Sequence, residues 1–248
     1  WQLHSLRKWD QLTAARVNVI IANSRFTARR IHSYWGRKSE VVHPPVKVDR
    51  FSFSKDRGDY YLSLCRLVPN KRVDLVVKAF NKLELPLLVV GEGPEKSYLK
   101  KIAGPTVKIL GYKGFEEAAL LMEQCRAYVY AGLEDFGIAP VEAMAAGAPV
   151  IAYGKGGLLD TVRCATKDLS SATGVLFPNQ EVESIVDAVT WFEEEKIWKK
   201  ITSEYLHEWS NRYSEKAFQG RFERILFKAM EEHKKNCEAA STDPALMF

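Results

Sequence analysis

The 248-residue sequence has only four cysteines, Cys65, Cys125, Cys164 and Cys237, and no two stand at a CxxC or Cys/His ligand spacing. A disulfide framework and a structural zinc site are therefore not expected, and buried thiols in a reducing cytoplasm are. No Asn-x-Ser/Thr sequon and no basic-then-apolar leader occur. No uncharged apolar run approaches the ~20 residues that cross a bilayer as a helix. Asp-x-Asp is absent, so no metal-binding acidic pair is expected, and there is no P-loop sequence. Charge of one sign is not concentrated either. Thirty-six Lys plus Arg against 31 Asp plus Glu leave +5, which suits an anionic ligand but is too dilute, without clustered basic and aromatic residues, to imply nucleic acid. With hydrophobic residues at 46%, one large core or two small ones can be built.

Short β-rich runs alternate with helical patterns from Tyr60 onward. Strands are expected at Tyr60–Arg66, Leu87–Val90, Val107–Gly111, Ala127–Ala131, Pro149–Tyr153 and Gly174–Phe177. Helices are expected at Val73–Leu83, through about Ile102, at Phe115–Gln124, at Pro140–Ala146 closed by Gly147, and at Val182–Glu194. Six nearly uniformly apolar strands separated by helices predict a doubly wound α/β domain with a parallel six-stranded sheet. Ligands of such sheets bind at the carboxyl ends of the strands. Val17–Ala22 reads as a further strand, Asn23-Ser24 as a helix cap, and the helix runs to about Trp35. The expected division is 1–40 as the last piece of a preceding, largely absent domain and 41–52 as a linker. Residues 53–197 form the main domain, 198–232 terminal helices, and 233–248 a frayed tail.

Four strand-end segments can carry chemistry. Arg66 and Lys71, in RLVPNKR after the first strand of the main domain, place cations where a diphosphate would lie, or form a solvated basic loop. Gly91-Glu92-Gly93-Pro94 admits close backbone approach, or is an ordinary tight turn. It is no dinucleotide fingerprint, since Lys96 stands where the third glycine would. In EDFGIAPVE, Glu134 lies in a loop and Glu142 within the following helix, so both can accept hydrogen bonds from vicinal hydroxyls. The amides of Phe136, Gly137 and Ile138 fall at the positive end of that helix, a seat for phosphate and sugar oxygens. Ala148–Gly157 runs a strand into a glycine-rich loop that lines the same place or simply turns.

In order and spacing these segments resemble the donor-binding half of retaining glycosyltransferases of the GT-B fold. The resemblance is to the large family four group, whose E-x7-E signature is here Glu134 through Glu142. It covers residues from about 17 to 225 and looks most like bacterial mannosyltransferases of O-antigen and exopolysaccharide assembly. It implies that Arg66 and Lys71 hold the donor diphosphate, Glu134 the transferred sugar and Glu142 the ribose. Phe136, Gly137 and Ile138 would offer backbone groups, with Gly91 and Gly93 near the donor. Leu110-Gly111-Tyr112 would meet the nucleobase through its backbone. The linker reads His43-Pro44-Pro45-Val46 where many members have Pro-Asn-Gly-Val. The family's N-terminal domain, with its acceptor site, is not matched, and neither His4 nor His32 stands in a matching context.

The expectation is a retaining hexosyltransferase, mannosyl with GDP-mannose favoured and a UDP sugar as the alternative donor, acting on a glycan or lipid-linked acceptor. No metal and no other cofactor are implied. Its place would be cytoplasmic, with peripheral contact at the inner membrane face admitted. A non-catalytic nucleotide-sugar-binding module, or an epimerase or phosphorylase on the same fold, are the rival readings.

Overall fold

A computed structural model describes residues 2–242, with side chains over 3–238. The chain forms two compact units: Val46–Ser214, and the stretch to Pro45 together with the stretch from Glu215.

The discontinuous unit opens with helix α1 (Gln2–Ala15), not among the expected helices, followed by β1 (Ile21–Ala22), α2 (Arg25–Trp35) and β2 (Glu40–Val41). The strand expected over Val17–Ala22 shortens to two residues because its parallel partner, Glu40–Val41, offers only two. Helix α2 starts as its sequence suggests, Ser24 Oγ accepting from Thr27 N–H at 3.1 Å, and ends at Gly36 in the left-handed region.

The continuous unit contains β3 (Tyr61–Leu64), α3 (Val73–Leu83), β4 (Leu87–Val90), α4 (Lys96–Ile102), β5 (Val107–Gly111), α5 (Phe115–Gln124) and β6 (Ala127–Tyr130). It continues through α6 (Ile138–Ala145), β7 (Val150–Tyr153), α7 (Leu158–Thr161), β8 (Gly174–Phe177), α8 (Val182–Glu194), α9 (Ile197–Lys200) and α10 (Ser203–Ser210). Strands β3 to β8 form one parallel sheet in the order β5-β4-β3-β6-β7-β8. Helix α3 packs with α4 and α8, and α6 with α5 and α10. Right-handed crossovers place α3 and α6 on opposite faces, so the central strands are covered twice and all four residues of β6 and of β7 are buried. Side chains such as Leu62, Leu87 and Ile151, fully buried here, each contribute about 1.5–3 kcal/mol through removal from water.

The boundaries differ from the expected 41–52 and 53–197. Val46, Val48 and Phe51 are core residues of the continuous unit, so the chain enters it at Val46. Val46 N–H donates to the Tyr213 carbonyl at 2.8 Å, and Val46 bridges Ser214, so entry and exit lie side by side. Of the terminal helices expected over 198–232, α9 and α10 belong to the continuous unit, and α11 (Glu215–Thr242) groups with the N-terminal stretch. The frayed tail expected from 233 is helical to Thr242. Straight-chain helix formers and the i,i+4 pairs Lys228–Glu232 (4.0 Å) and Lys234–Glu238 (3.9 Å) sustain it. The rest of that tail lies outside the described residues.

Candidate functional site

Strand order reverses between β3 and β6, and the loops that leave these two strands are where a doubly wound sheet opens a ligand crevice. The β3 loop reaches Pro69–Lys71, a 3-10 turn with proline at its start. It ends at Arg72, whose positive φ of 52° is held by side-chain bonds to Asp74 at 3.1 and 3.3 Å. That turn aims Lys71 across the switch point: its ammonium donates to Glu134 Oε1, in the loop after β6. The Tyr130 hydroxyl donates to the same oxygen. Lys71 and Glu134 are only 20% and 23% exposed, so this ion pair is partly shielded from solvent.

Arg66 lies on the same β3 loop, exposed, and its guanidinium has no hydrogen-bond or ion-pair partner among the described residues. It is thus available to an anion, although the structure does not join it to Glu134. Burial pushes the Cys65 thiol up to about 12, and the charge of Lys71 opposes the rise.

The glycines after β4 make their close approach to another loop. A Cβ on Gly91, whose φ is +143°, would stand 1.9 Å from the Cys65 carbonyl oxygen, and one on Gly93 would stand 2.2 Å from that of Leu67. Leu67 N–H donates to the Glu92 carbonyl at 2.9 Å, and Glu95 N–H to the Leu67 carbonyl at 3.0 Å. Gly91 and Gly93 therefore brace the loop that carries Arg66 and Lys71. At the end of β5, Gly111 takes φ +80°, and Leu110 and Tyr112 are exposed. The amide of Tyr112, in the segment whose backbone the family resemblance sets against a nucleobase, is satisfied by Glu92 Oε1 at 3.2 Å. Glu92 itself is paired with Lys96, and these two bonds hold its carboxyl below the usual range.

Helix α6 begins at Ile138, which is exposed, with Gly137 as its left-handed cap. A Cβ on Gly137 would meet Leu158 Cδ2 at 2.4 Å. Phe136 is buried, its ring edge-on to Tyr213 at 5.6 Å between centroids. Glu142 is half-buried on α6, and its carboxylate has no hydrogen-bond partner among the described residues. Burial raises its pKa and the charge of Arg50 opposes the rise. The glycine-rich loop after β7 turns tightly and serves the site through its backbone. Gly157 N–H donates to the Glu134 carbonyl at 2.8 Å, and Cβ atoms on Gly156 and Gly157 would come within 2.4 and 2.2 Å of the Glu134 and Asp135 carbonyl oxygens. Tyr130 escaped the sequence reading because it stands in an apolar strand, and only its position four residues before Glu134 hints at the contact.

Comparison with known proteins extends this geometry. The family model for glycosyl transferases group 1 matches residues 47–216. The GDP-mannose-dependent alpha-(1-6)-phosphatidylinositol monomannoside mannosyltransferase of Mycolicibacterium smegmatis is 28% identical over 222 residues, covering 73% of this chain and 56% of that protein. The alpha-1,3/1,6-mannosyltransferase ALG2 of Saccharomyces cerevisiae is 27% identical over 227 residues, covering 68% and 45%. The chain thus spans about half the length of the curated relatives it matches. Among solved structures, that of Anabaena Alr3699/HepE in complex with UDP and glucose shares the fold, with a TM-score of 0.74 at 18% identity over 91% of this chain and 67% of that one.

Proposed function

Since this chain belongs to the glycosyl transferases group 1 family, we propose that it forms the donor-binding part of a retaining hexosyltransferase. The transferred group is mannosyl and the donor GDP-mannose, with a UDP sugar as the alternative. The mannosyl assignment leans on what the two relatives' names state of those proteins. The observation that carries the donor site is the meeting of Lys71 with Glu134 across the switch point.

A departing nucleoside diphosphate gathers negative charge, and a preorganised cation stabilises it most as it leaves. Lys71 and Arg66 supply that charge in place of a divalent ion, together with the amides at the start of α6. Glu134 accepts from the hydroxyls of the transferred sugar and Glu142 from those of the ribose. The acceptor is a glycan or a lipid-linked glycan, held by groups outside the strand ends described above. A lipid-linked acceptor would bring the protein to a membrane surface as a peripheral visitor on the cytoplasmic side. Among the described residues no helix is long and apolar enough to cross one.

Calorimetric titration of the chain with GDP, UDP, GDP-mannose and UDP-glucose tests the reading. The expected result is one-site binding, tighter for the guanine pair. Absence of binding to every one of the four refutes it.

A further inference from the structure

Resting on the donor-site reading, we infer that Tyr130 is a positioning residue for Glu134. Its hydroxyl and the Lys71 ammonium fasten one carboxylate oxygen, Oε1, and leave Oε2 to the hydroxyls of the donor sugar.

Strand β6 carries two tyrosines on one face, Tyr128 and Tyr130, stacked with centroids 6.3 Å apart and planes 11° from parallel. Both rings are buried, and a phenylalanine would fill nearly the same volume without a hydroxyl to desolvate. A buried hydroxyl is favourable only where it finds a partner. Tyr128 spends its own on the Leu64 carbonyl, at 2.6 Å. Tyr130 spends its on the carboxylate that faces the switch point.

The surrounding loop is shaped for that contact. A Cβ on Gly132 would stand 2.7 Å from the Tyr130 hydroxyl oxygen and 3.0 Å from its ring, so a side chain there would displace the ring. The Ala131 carbonyl is tied by the Gln180 amide at 2.7 Å. Glu134 is then held at both ends, its carbonyl by Gly157 and its Oε1 by Tyr130 and Lys71. A glutamate side chain otherwise loses rotamer freedom on being fixed, and here that ordering precedes the ligand.

The two donors are not equivalent. A diphosphate competes with Glu134 for the mobile charge of Lys71. The Tyr130 hydroxyl is neutral and uncontested, and burial together with Glu134 keeps it protonated well above its ordinary pKa. Once the donor is seated, Tyr130 is the contact that keeps Glu134 in place, so its influence is felt by the sugar and not by the nucleotide.

The test is the ratio of affinities for GDP-mannose and GDP, or for UDP-glucose and UDP if that pair binds, measured calorimetrically on the same chain. Tyr130→Phe is expected to lower the sugar-to-nucleotide ratio about 3- to 10-fold, the size of one net hydrogen bond. General loosening of the fold would weaken both ligands alike and leave the ratio unmoved. Thermal melting without ligand reports folding. Should Tyr130→Phe not fold, Gly132→Ala, which crowds the hydroxyl from the other side, is expected to move the ratio the same way. An unchanged ratio in a folded variant overturns the inference while the donor site stands. Loss of all nucleotide binding by the wild-type chain overturns the donor site, and this inference with it.

Discussion

Replacing Lys71 by alanine does two things at once, and the second can be isolated. It removes a charged donor to the diphosphate, which costs about 1.5–3 kcal/mol, or roughly 10- to 150-fold in Kd. It also leaves the Glu134 carboxylate, which Lys71 neutralises in the wild-type chain, facing an incoming dianion. Two unit charges about 4 Å apart interact by about 1 kcal/mol in water and about 4 kcal/mol near a protein surface. With both side chains about one-fifth exposed, screening brings this coupling to about 1–2 kcal/mol. In the double variant Lys71→Ala/Glu134→Gln the repulsion is gone, so GDP affinity should recover by about 1 kcal/mol, roughly fivefold, over Lys71→Ala alone. Glu134→Gln by itself should leave GDP binding unchanged, because Lys71 already neutralises the carboxylate in the wild-type chain. The assay is a calorimetric double-mutant cycle with GDP as titrant. If the two effects add within about 0.3–0.5 kcal/mol, Lys71 and Glu134 do not share the diphosphate site and the reasoning fails.

Arg66→Ala should weaken GDP by about 1.5–3 kcal/mol with no measurable change in melting temperature, since its guanidinium supports nothing else; equal affinity to wild type would return Arg66 to the role of a solvated loop residue. For Glu142, burial sets the folded pKa above the unfolded one. The folded state therefore holds the proton more tightly, and stability present below the unfolded pKa is lost as pH rises through the folded pKa. Glu142→Gln should accordingly melt higher than wild type at neutral pH, with the gap closing as pH falls to about 4; a gap independent of pH would contradict this. Gly91→Ala forces a Cβ onto the Cys65 carbonyl at a positive φ and should cost at least about 2 kcal/mol in urea denaturation.

Much of the sheet and of its helices was legible because the strands are short apolar runs and the helices carry apolar residues at helical spacing. Val73–Leu83, Leu87–Val90, Val107–Gly111, Phe115–Gln124, Gly174–Phe177 and Val182–Glu194 have the same limits in sequence pattern and structure. Helix α1 went unread although Leu3, Leu6, Trp9 and Leu12 recur every three residues; all four are exposed in the structure. In the site, Lys71 and Glu134 were readable as charges at strand ends, but their pairing depends on strand order, which spacing does not encode. Gly91 and Gly93 show a need for bare backbone without showing what approaches it, and here that is the neighbouring loop. Tyr130 was invisible for the opposite reason: a hydroxyl in a β-rich run reads as packing until the fold brings a carboxylate to it.

The adjacency of Val46 and Ser214 makes the continuous unit a cassette. A chain that enters and leaves through neighbouring positions can be excised or exchanged with no more than a short join. Recombination could therefore trade one such segment for another while the flanking stretches, and whatever they hold, stay as they are. It also orders synthesis at the ribosome. Residues 46–214 are all available once Ser214 has emerged, whereas the unit they interrupt must wait for α11.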